Sequence, residues 1–366
     1  MAERVATRDR ELRGRRLVSQ RVCGPRFASV AEAAEAAAGM LATQAQDFHG
    51  AKWALALRST GREVDVDAAL ASGALVRGWP MRGTLMFMAA ADVRWLTTLL
   101  APRSFAASAA GWRATGLGAD DFARAADLAG AALTGGVAMG RTALLQALER
   151  GGVATGGGRG SHLLRHLAGT ALIVFGPPRG TEQTFALLHE WVPSARGCER
   201  EEALSTLARR YVAGHGPTTA RDLAWWSGLT LADARQAVRL AGDTMGEVSV
   251  AGEPYLVAAD GPPPPPAGET LRLLSGFDEL LLGYGDRSAS LAPGDVPRVV
   301  PARNGLFLPT IVADGRVVGT WRRTVGADRV ELAVEPFAPL GARRRSRLQR
   351  AASDYAAYLG RDLVLS

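Results

Sequence analysis

The chain has 366 residues, 47% of them hydrophobic and 22% charged, which is long enough for two to four small domains with ordinary cores. Its net charge of +7 and pI near 10.2 favour a polyanionic partner, and nearly all of the positive charge is arginine, since Lys52 is the only lysine. The charged opening Met1 to Arg16, the lack of any run of about twenty apolar residues, and two distant cysteines, Cys23 and Cys198, argue against a signal peptide, a membrane span or a cysteine metal site. A cytoplasmic, nucleoid-associated protein is expected.

In chain order, Arg13 to Leu17 leads into a helix expected to end near Gly24-Pro25. Ser29, with Glu32 three residues on, reads as a capping box opening a helix to Met40. The alanine-rich background then breaks at Thr43-Gln44-Ala45-Gln46-Asp47-Phe48-His49, a knot of polar side chains. Lys52 to Arg58 follows as an apolar helix that Asp47 can cap. Gln44 and Gln46 therefore fall in a short connection between two helices, where an extended backbone projects both to one side. Two amides aimed one way on a loop between packed helices can form a small polar site. Capping a helix end or facing water is the plainer alternative.

Asp65 to Ser72 reads as a short helix stopped by Gly73, and Leu75 to Met88 as two strands around a turn. Ala91 to Leu100 returns to helix with Trp95 and Leu96 inward. Helices followed by a hairpin is the order of a winged helix-turn-helix, and it comes twice more. The second copy runs from the helix at Arg141 to Arg150, through the turn at Gly151 to Gly160 and the helix at Ser161 to Leu167, to a strand at Ala171 to Phe175. In the third, Thr218 or Thr219 caps a helix through Trp225-Trp226, Gly228 turns the chain, Thr230 caps Leu231 to Leu240, and Gly246 to Val257 forms a hairpin around Gly252. Asp260 to Gly268, with five consecutive prolines, reads as a stiff linker. Beyond it, Thr310 to Trp321 is a hairpin with an Asp314-Gly315 turn, Arg329 to Val334 a strand, and Ala342 to Leu359 a closing helix. That helix begins with Arg343, Arg344, Arg345, Arg347 and Arg350, which suit either phosphate contact or a solvated face.

The expected fold class is α+β: three tandem winged helix-turn-helix units at 1–115, 116–197 and 198–260, then a β unit with its closing helix at 268–366. The chain resembles the winged-helix DNA glycosylases of the AlkZ and YcaQ type over nearly its whole length. The resemblance is carried by Gln44-Ala45-Gln46, by Arg82-Gly83-Thr84-Leu85, by Glu190-Trp191-Val192-Pro193, and by Arg221 to Gly228. Phe277 to Tyr284 with Asp286-Arg287, and Asp314 to Trp321, complete it in the same order. It implies a C-shaped molecule with a β-barrel-like C-terminal domain and a basic channel, acting on double-stranded DNA with alkylated purines, as a monomer and without cofactor or metal. It also implies that Gln44 and Gln46 are the glutamine-apolar-glutamine catalytic motif of the AlkZ branch; the YcaQ branch has an acid at the second position. Where many relatives continue Arg-Gly-Thr-Leu with histidine, this chain has Met86. Candidate DNA contacts are Lys52, Arg58, Arg82, Thr84, Arg159, Arg287, Arg316, Trp321 and Arg322.

A glutamine amide takes no proton near pH 7, so it orients water and points a carbonyl dipole rather than acting as a base. That suffices when the leaving group needs no general acid, as for a purine alkylated at N7 or N3, whose departure releases a neutral base. The chemistry thus points to a cationic, alkylated base, and with the resemblance the expected substrate is bulky or crosslinked N7-alkylguanine, in repair or in self-resistance to a genotoxic natural product. Gln46 is assigned to the water and Gln44 to its support, with Asp47 as a rival base whose plainer role is the helix cap. A lyase step needs an amine, and Lys52 is read as a phosphate contact, so a monofunctional hydrolase is expected. His162 and His166 have i, i+4 spacing but suit a helix face better than a metal. The turn Gly156 to Gly160 lacks the lysine and serine of a P-loop. Trp225-Trp226 reads as core. The alternative function is a non-catalytic winged-helix DNA-binding protein, a regulator or architectural factor, although three unlike units offer no two-fold symmetry to match a palindrome.

Overall fold

A computed structural model describes residues 2–24, 26, 32–261, 268–302 and 305–366. The expected cap at Ser29 and the proline run at 262–266 lie outside the described residues. The first helix, Ala2–Ser19, starts well before Arg13 and ends short of Gly24. After helix Glu32–Gly39, the polar knot is not a plain loop. Thr43–Gln44 forms a short strand antiparallel to Thr84–Ala89, and the Ala45 N–H extends the pairing by donating to the Leu85 carbonyl at 2.7 Å. This adds a third strand to the expected hairpin of Leu75–Met81 and Thr84–Ala89. The hairpin turns at Arg82 and Gly83, both left-handed, at φ 53° and 67°.

The helix Phe48–Arg58 begins at Asp47, whose carboxylate accepts the Gly50 N–H at 3.0 Å. A side chain at Gly50 would put its Cβ 2.4 Å from an Asp47 oxygen, so the cap requires glycine there. Helices Glu63–Ala71 and Val93–Ala114 flank the hairpin, the latter running a further fourteen residues past the expected Leu100 with Trp95 and Leu96 buried. A second small sheet (Met139–Gly140, Ile173–Phe175, Thr184–Leu187) packs with helices Ala119–Leu133, Arg141–Arg150 and Arg159–Gly169. A two-stranded sheet, Met245–Val250 with Glu253–Ala258, follows helices Arg200–His215, Ala220–Ser227 and Leu231–Ala241. Thr219 and Thr230 cap the last two, and Gly228 turns between them at φ 76°. Helices Ala119–Leu133 and Arg200–His215 were not anticipated.

The C-terminal sheet is open and has five strands. From one edge to the other they are Asp362–Leu365, Arg329–Pro336, Arg316–Val325, Thr310–Ala313 and Leu271–Leu274, with only the first pair parallel. Helix Ala342–Leu359 covers it. The chain is thus α+β. Its interiors cross the expected boundaries: one core gathers residues from Leu41 to Ala241, and another joins Leu17, Trp53 and Leu57 to the C-terminal sheet and helix. The helix Phe48–Arg58 is buried from Gly50 to Arg58 because it lies between Leu55's sheet-side core and Trp53's C-terminal one.

Three expected DNA contacts are instead interior groups, and a fourth, Arg159, is half-buried and engaged within the fold. Arg58 is fully buried, its two terminal nitrogens bonded at 2.9 Å to the two oxygens of Asp278, with Gln20 Oε1 accepting at 3.0 Å. Trp321 is 1% exposed, packs edge-on against Tyr355, and donates its indole N–H to the Leu274 carbonyl. Lys52 lies among Glu63 at 2.8 Å and Asp67 at 2.7 Å, so its charge is neutralised inside the fold. Arg159 binds Asp121 and the carbonyls of Ala154, Thr115 and Gly116, bracing a helix start. Helix or strand periodicity puts each on a surface by itself, but neighbouring elements cover those surfaces. Trp225 deviates the other way. It is 48% exposed, while Trp226 alone is core.

Removing either side of the buried Arg58–Asp278 pair strands a charge, so Arg58→Met or Asp278→Asn should lower unfolding free energy by about 3–5 kcal/mol in denaturant titration. Glu63 is held down to about 2 by His49 and by Lys52, the closer contact. A carboxylate depressed on folding stabilises above its unfolded pKa of about 4.3 and loses that contribution as pH falls toward 2. The stability of wild type should therefore fall more steeply across that window than that of Glu63→Gln.

Candidate active site

Ala45 is fully buried, so the backbone at the centre of the polar knot is anchored, while Gln44 is half-buried and Gln46 exposed. Among the described residues neither glutamine amide has a hydrogen-bond partner, which leaves both free to hold a ligand. The residue opposite Gln44 in the strand pairing is Met86, which is fully buried. The position where relatives are expected to carry histidine is therefore directly across from the first glutamine, and here it offers no polar group. Thr84 begins the same strand and is half-buried.

Two arginines hold the segment. Arg77, from strand Leu75–Met81, directs Nη2 and Nε at the Ala45 carbonyl, at 2.7 and 3.2 Å. Arg323, from strand Arg316–Val325, contacts both Asp47 oxygens at 2.9 and 3.0 Å. With the Gly50 N–H also on that carboxylate, Asp47 is committed to the cap and the ion pair and is poorly placed to act as a base. Neither arginine was anticipated. A charged residue in the middle of the apolar strand Leu75–Met81 was the available signal for Arg77; Arg323 gave none, since its partner lies 276 residues away.

The remaining candidates separate. Arg82 lies in the hairpin turn, with its stem against Gly228 and its pKa lowered by burial. Arg287 donates to the Leu281 carbonyl and lies between the rings of Trp225 at 5.1 Å and Phe307 at 5.3 Å; burial lowers its pKa, and the Arg82 charge lowers it further. Arg322 is exposed on the strand between Trp321 and Arg323. Arg316 is exposed at the far end of that strand and lines a cavity of about 660 Å³ with Arg10, Arg13, Phe337 and Arg344, none of which belongs to the glutamine segment. Of the helix-opening arginines, Arg343, Arg345, Arg347 and Arg350 are exposed, and Arg344 pairs with Glu269. His166 is stacked between Phe105 and Phe122 at 4.8 and 4.0 Å, which makes it part of an aromatic cluster rather than a metal ligand, and burial lowers its pKa. No helix among the described residues is long and apolar enough to cross a membrane.

Known proteins are similar to this chain. Residues 37–358 match the family described as DNA glycosylase AlkZ-like. An interstrand DNA cross-link repair glycosylase of Streptomyces sahachiroi is 29% identical over 318 residues, which cover 80% of this chain and 82% of that protein. The solved structure of Streptomyces sahachiroi DNA glycosylase AlkZ has the same fold, with a TM-score of 0.80 at 24% identity over 98% of this chain and 99% of that one. The family match spans all but the ends of the chain, and on that ground this protein belongs to the AlkZ-like family of DNA glycosylases.

Proposed function

We propose that this protein is a monofunctional glycosylase that hydrolyses the N-glycosidic bond of cationic N7-alkylguanine, including bulky adducts and interstrand crosslinks, in repair or in self-resistance to a genotoxic natural product. The observation that carries this reading is that two uncharged, unengaged amides share one anchored segment whose only carboxylate, Asp47, is already bound by Arg323 and the Gly50 N–H. A pair of amides supplies neither a strong base nor an acid for the leaving group.

A purine alkylated at N7 meets that limit. As the N9–C1′ bond breaks, its electron pair neutralises the charge on the base, water adds to C1′, and a proton passes to solvent. Gln46 orients the water, and Gln44 aims its carbonyl dipole at the positive charge growing on the sugar, an electrostatic contribution of the preorganised kind. The only side-chain amine, Lys52, is enclosed by Glu63 and Asp67, which supports hydrolysis without a Schiff-base step. The similarity to a protein named for interstrand crosslink repair supports the substrate class.

For the fold, we read the three small sheets with their helices as winged-helix units at 1–115, 116–197 and 198–260, which with the unit at 268–366 form a C-shaped monomer around double-stranded DNA in the cytoplasm. Thr84, beside the motif, and the exposed Arg322 are the favoured DNA contacts. Arg287 with the exposed Trp225 forms a second contact, on the side where Arg82 meets Gly228. Arg316 is a weaker one.

Incubation with duplexes carrying N7-methylguanine, a bulky N7 adduct or a crosslink, followed by abasic-site cleavage, should show base release from these and none from uracil or undamaged DNA. Gln46→Ala should abolish release while duplex affinity stays near that of wild type; full activity in that variant would remove the glutamine mechanism. Borohydride treatment during turnover should trap no protein–DNA adduct.

A further inference from the structure

The Ala45–Gln46 peptide is held in an unusual way. Its carbonyl receives two N–H groups from a single guanidinium, and the Ala45 N–H on the other side of the residue is bound to Leu85. Both peptide planes flanking Ala45 are therefore fixed, and these planes decide where Gln44 and Gln46 project. The guanidinium comes from Arg77, which stands opposite Phe87 in the pairing of its strand with Thr84–Ala89; Phe87 is in turn paired with Thr43. Arg77 must thus reach across the central strand to find Ala45.

Its surroundings come from two parts of the chain. The Phe48 ring, which follows the motif, and the Phe175 ring, from the second small sheet, each lie 5.2 Å from the guanidinium carbon. The remaining nitrogen, Nη1, points to Gln183 Oε1 at 3.4 Å, next to strand Thr184–Leu187. Among the described residues no carboxylate pairs with Arg77, and burial alone lowers its pKa to about 10. Desolvating a cation with no counter-ion is costly, and a neutral residue would fill the space at lower cost. What an arginine alone supplies here is a planar fork on one oxygen, stacked between two rings.

We propose that Arg77 is a positioning residue for base excision: it aims the two glutamines through the Ala45 carbonyl, and the second small sheet, through Phe175 and Gln183, sets the angle of that fork. The proposal rests on the reading of Gln44 and Gln46 as the catalytic pair. A displacement of about 1 Å in a reacting group costs on the order of 100-fold in rate, so the fork's effect belongs in the chemical step rather than in DNA binding.

The test compares Arg77→Met, Arg77→Lys and Gln183→Ala with wild type and with Gln46→Ala. It measures single-turnover release of N7-methylguanine, duplex affinity, and amide hydrogen exchange at residues 44–47. Arg77→Met should slow release about 100-fold, and Arg77→Lys, which restores charge but not the fork, should recover only part of it. Gln183→Ala should give a smaller loss. Duplex affinity should stay within about twofold, and exchange at residues 44–47 should quicken in step with the loss of rate. Should Arg77→Met not fold, Arg77→Lys and Gln183→Ala carry the same comparison with the charge retained. Unchanged release, a loss of rate matched by an equal loss of affinity, or exchange at residues 44–47 that is no faster would each overturn the proposal. If Gln46→Ala is itself fully active, the glutamine mechanism fails, and the exchange measurement still decides whether Arg77 holds the segment.

Discussion

The position of the glutamine segment depends on a buried ion pair at the opposite end of the helix that follows it. Arg58 closes helix Phe48–Arg58 and meets Asp278 of the C-terminal unit and Gln20, just after the first helix, all three of them buried. Such a pair contributes little net stability against an apolar alternative, but it tolerates no misalignment, because a stranded charge in that interior is far worse than a paired one. The helix therefore has one allowed placement between the sheet-side core that holds Leu55 and the C-terminal core that holds Trp53. At its other end, the Asp47–Arg323 pair ties the cap to the same C-terminal sheet. Fastened at both ends, the helix presents the preceding residues with little freedom.

The chemistry follows from what this fastening leaves free. Asp47 is taken by Arg323 and the helix start, and Lys52 by two carboxylates, so the carboxylate and the amine nearest the glutamines serve the fold. The two glutamine amides stay unengaged. On the proposed reading, amides that orient water but protonate no leaving group suit a base that already carries positive charge. The buried Met86 opposite Gln44 adds no ionisable group at that position.

The local pattern was legible where a capping or turn residue marked it, and two whole helices that no side chain caps, Ala119–Leu133 and Arg200–His215, were missed. Asp47, Thr219 and Thr230 cap the helices their spacing suggested, Gly228 and the Asp314-Gly315 turn take left-handed backbone, and the closing helix runs over the expected Ala342–Leu359. Strand Asp362–Leu365 is the counter-example. Nothing in four residues announces that they pair in parallel with a strand some thirty residues earlier. The expected cap at Ser29 lies outside the described residues.

Which residues are chemically available was another matter. The helix–hairpin order, the arginine-dominated charge and the two neutral amides two residues apart were readable from the residues alone, because each depends on identity and short spacing. Only tertiary structure decided that Arg58, Lys52 and Trp321 are interior, that Trp225 is exposed, and that Arg77 and Arg323 hold the glutamine segment. Whether an arginine faces solvent, a carboxylate or a carbonyl is set by whatever the fold brings against it from tens or hundreds of residues away, and one helix or strand contains no record of its neighbours.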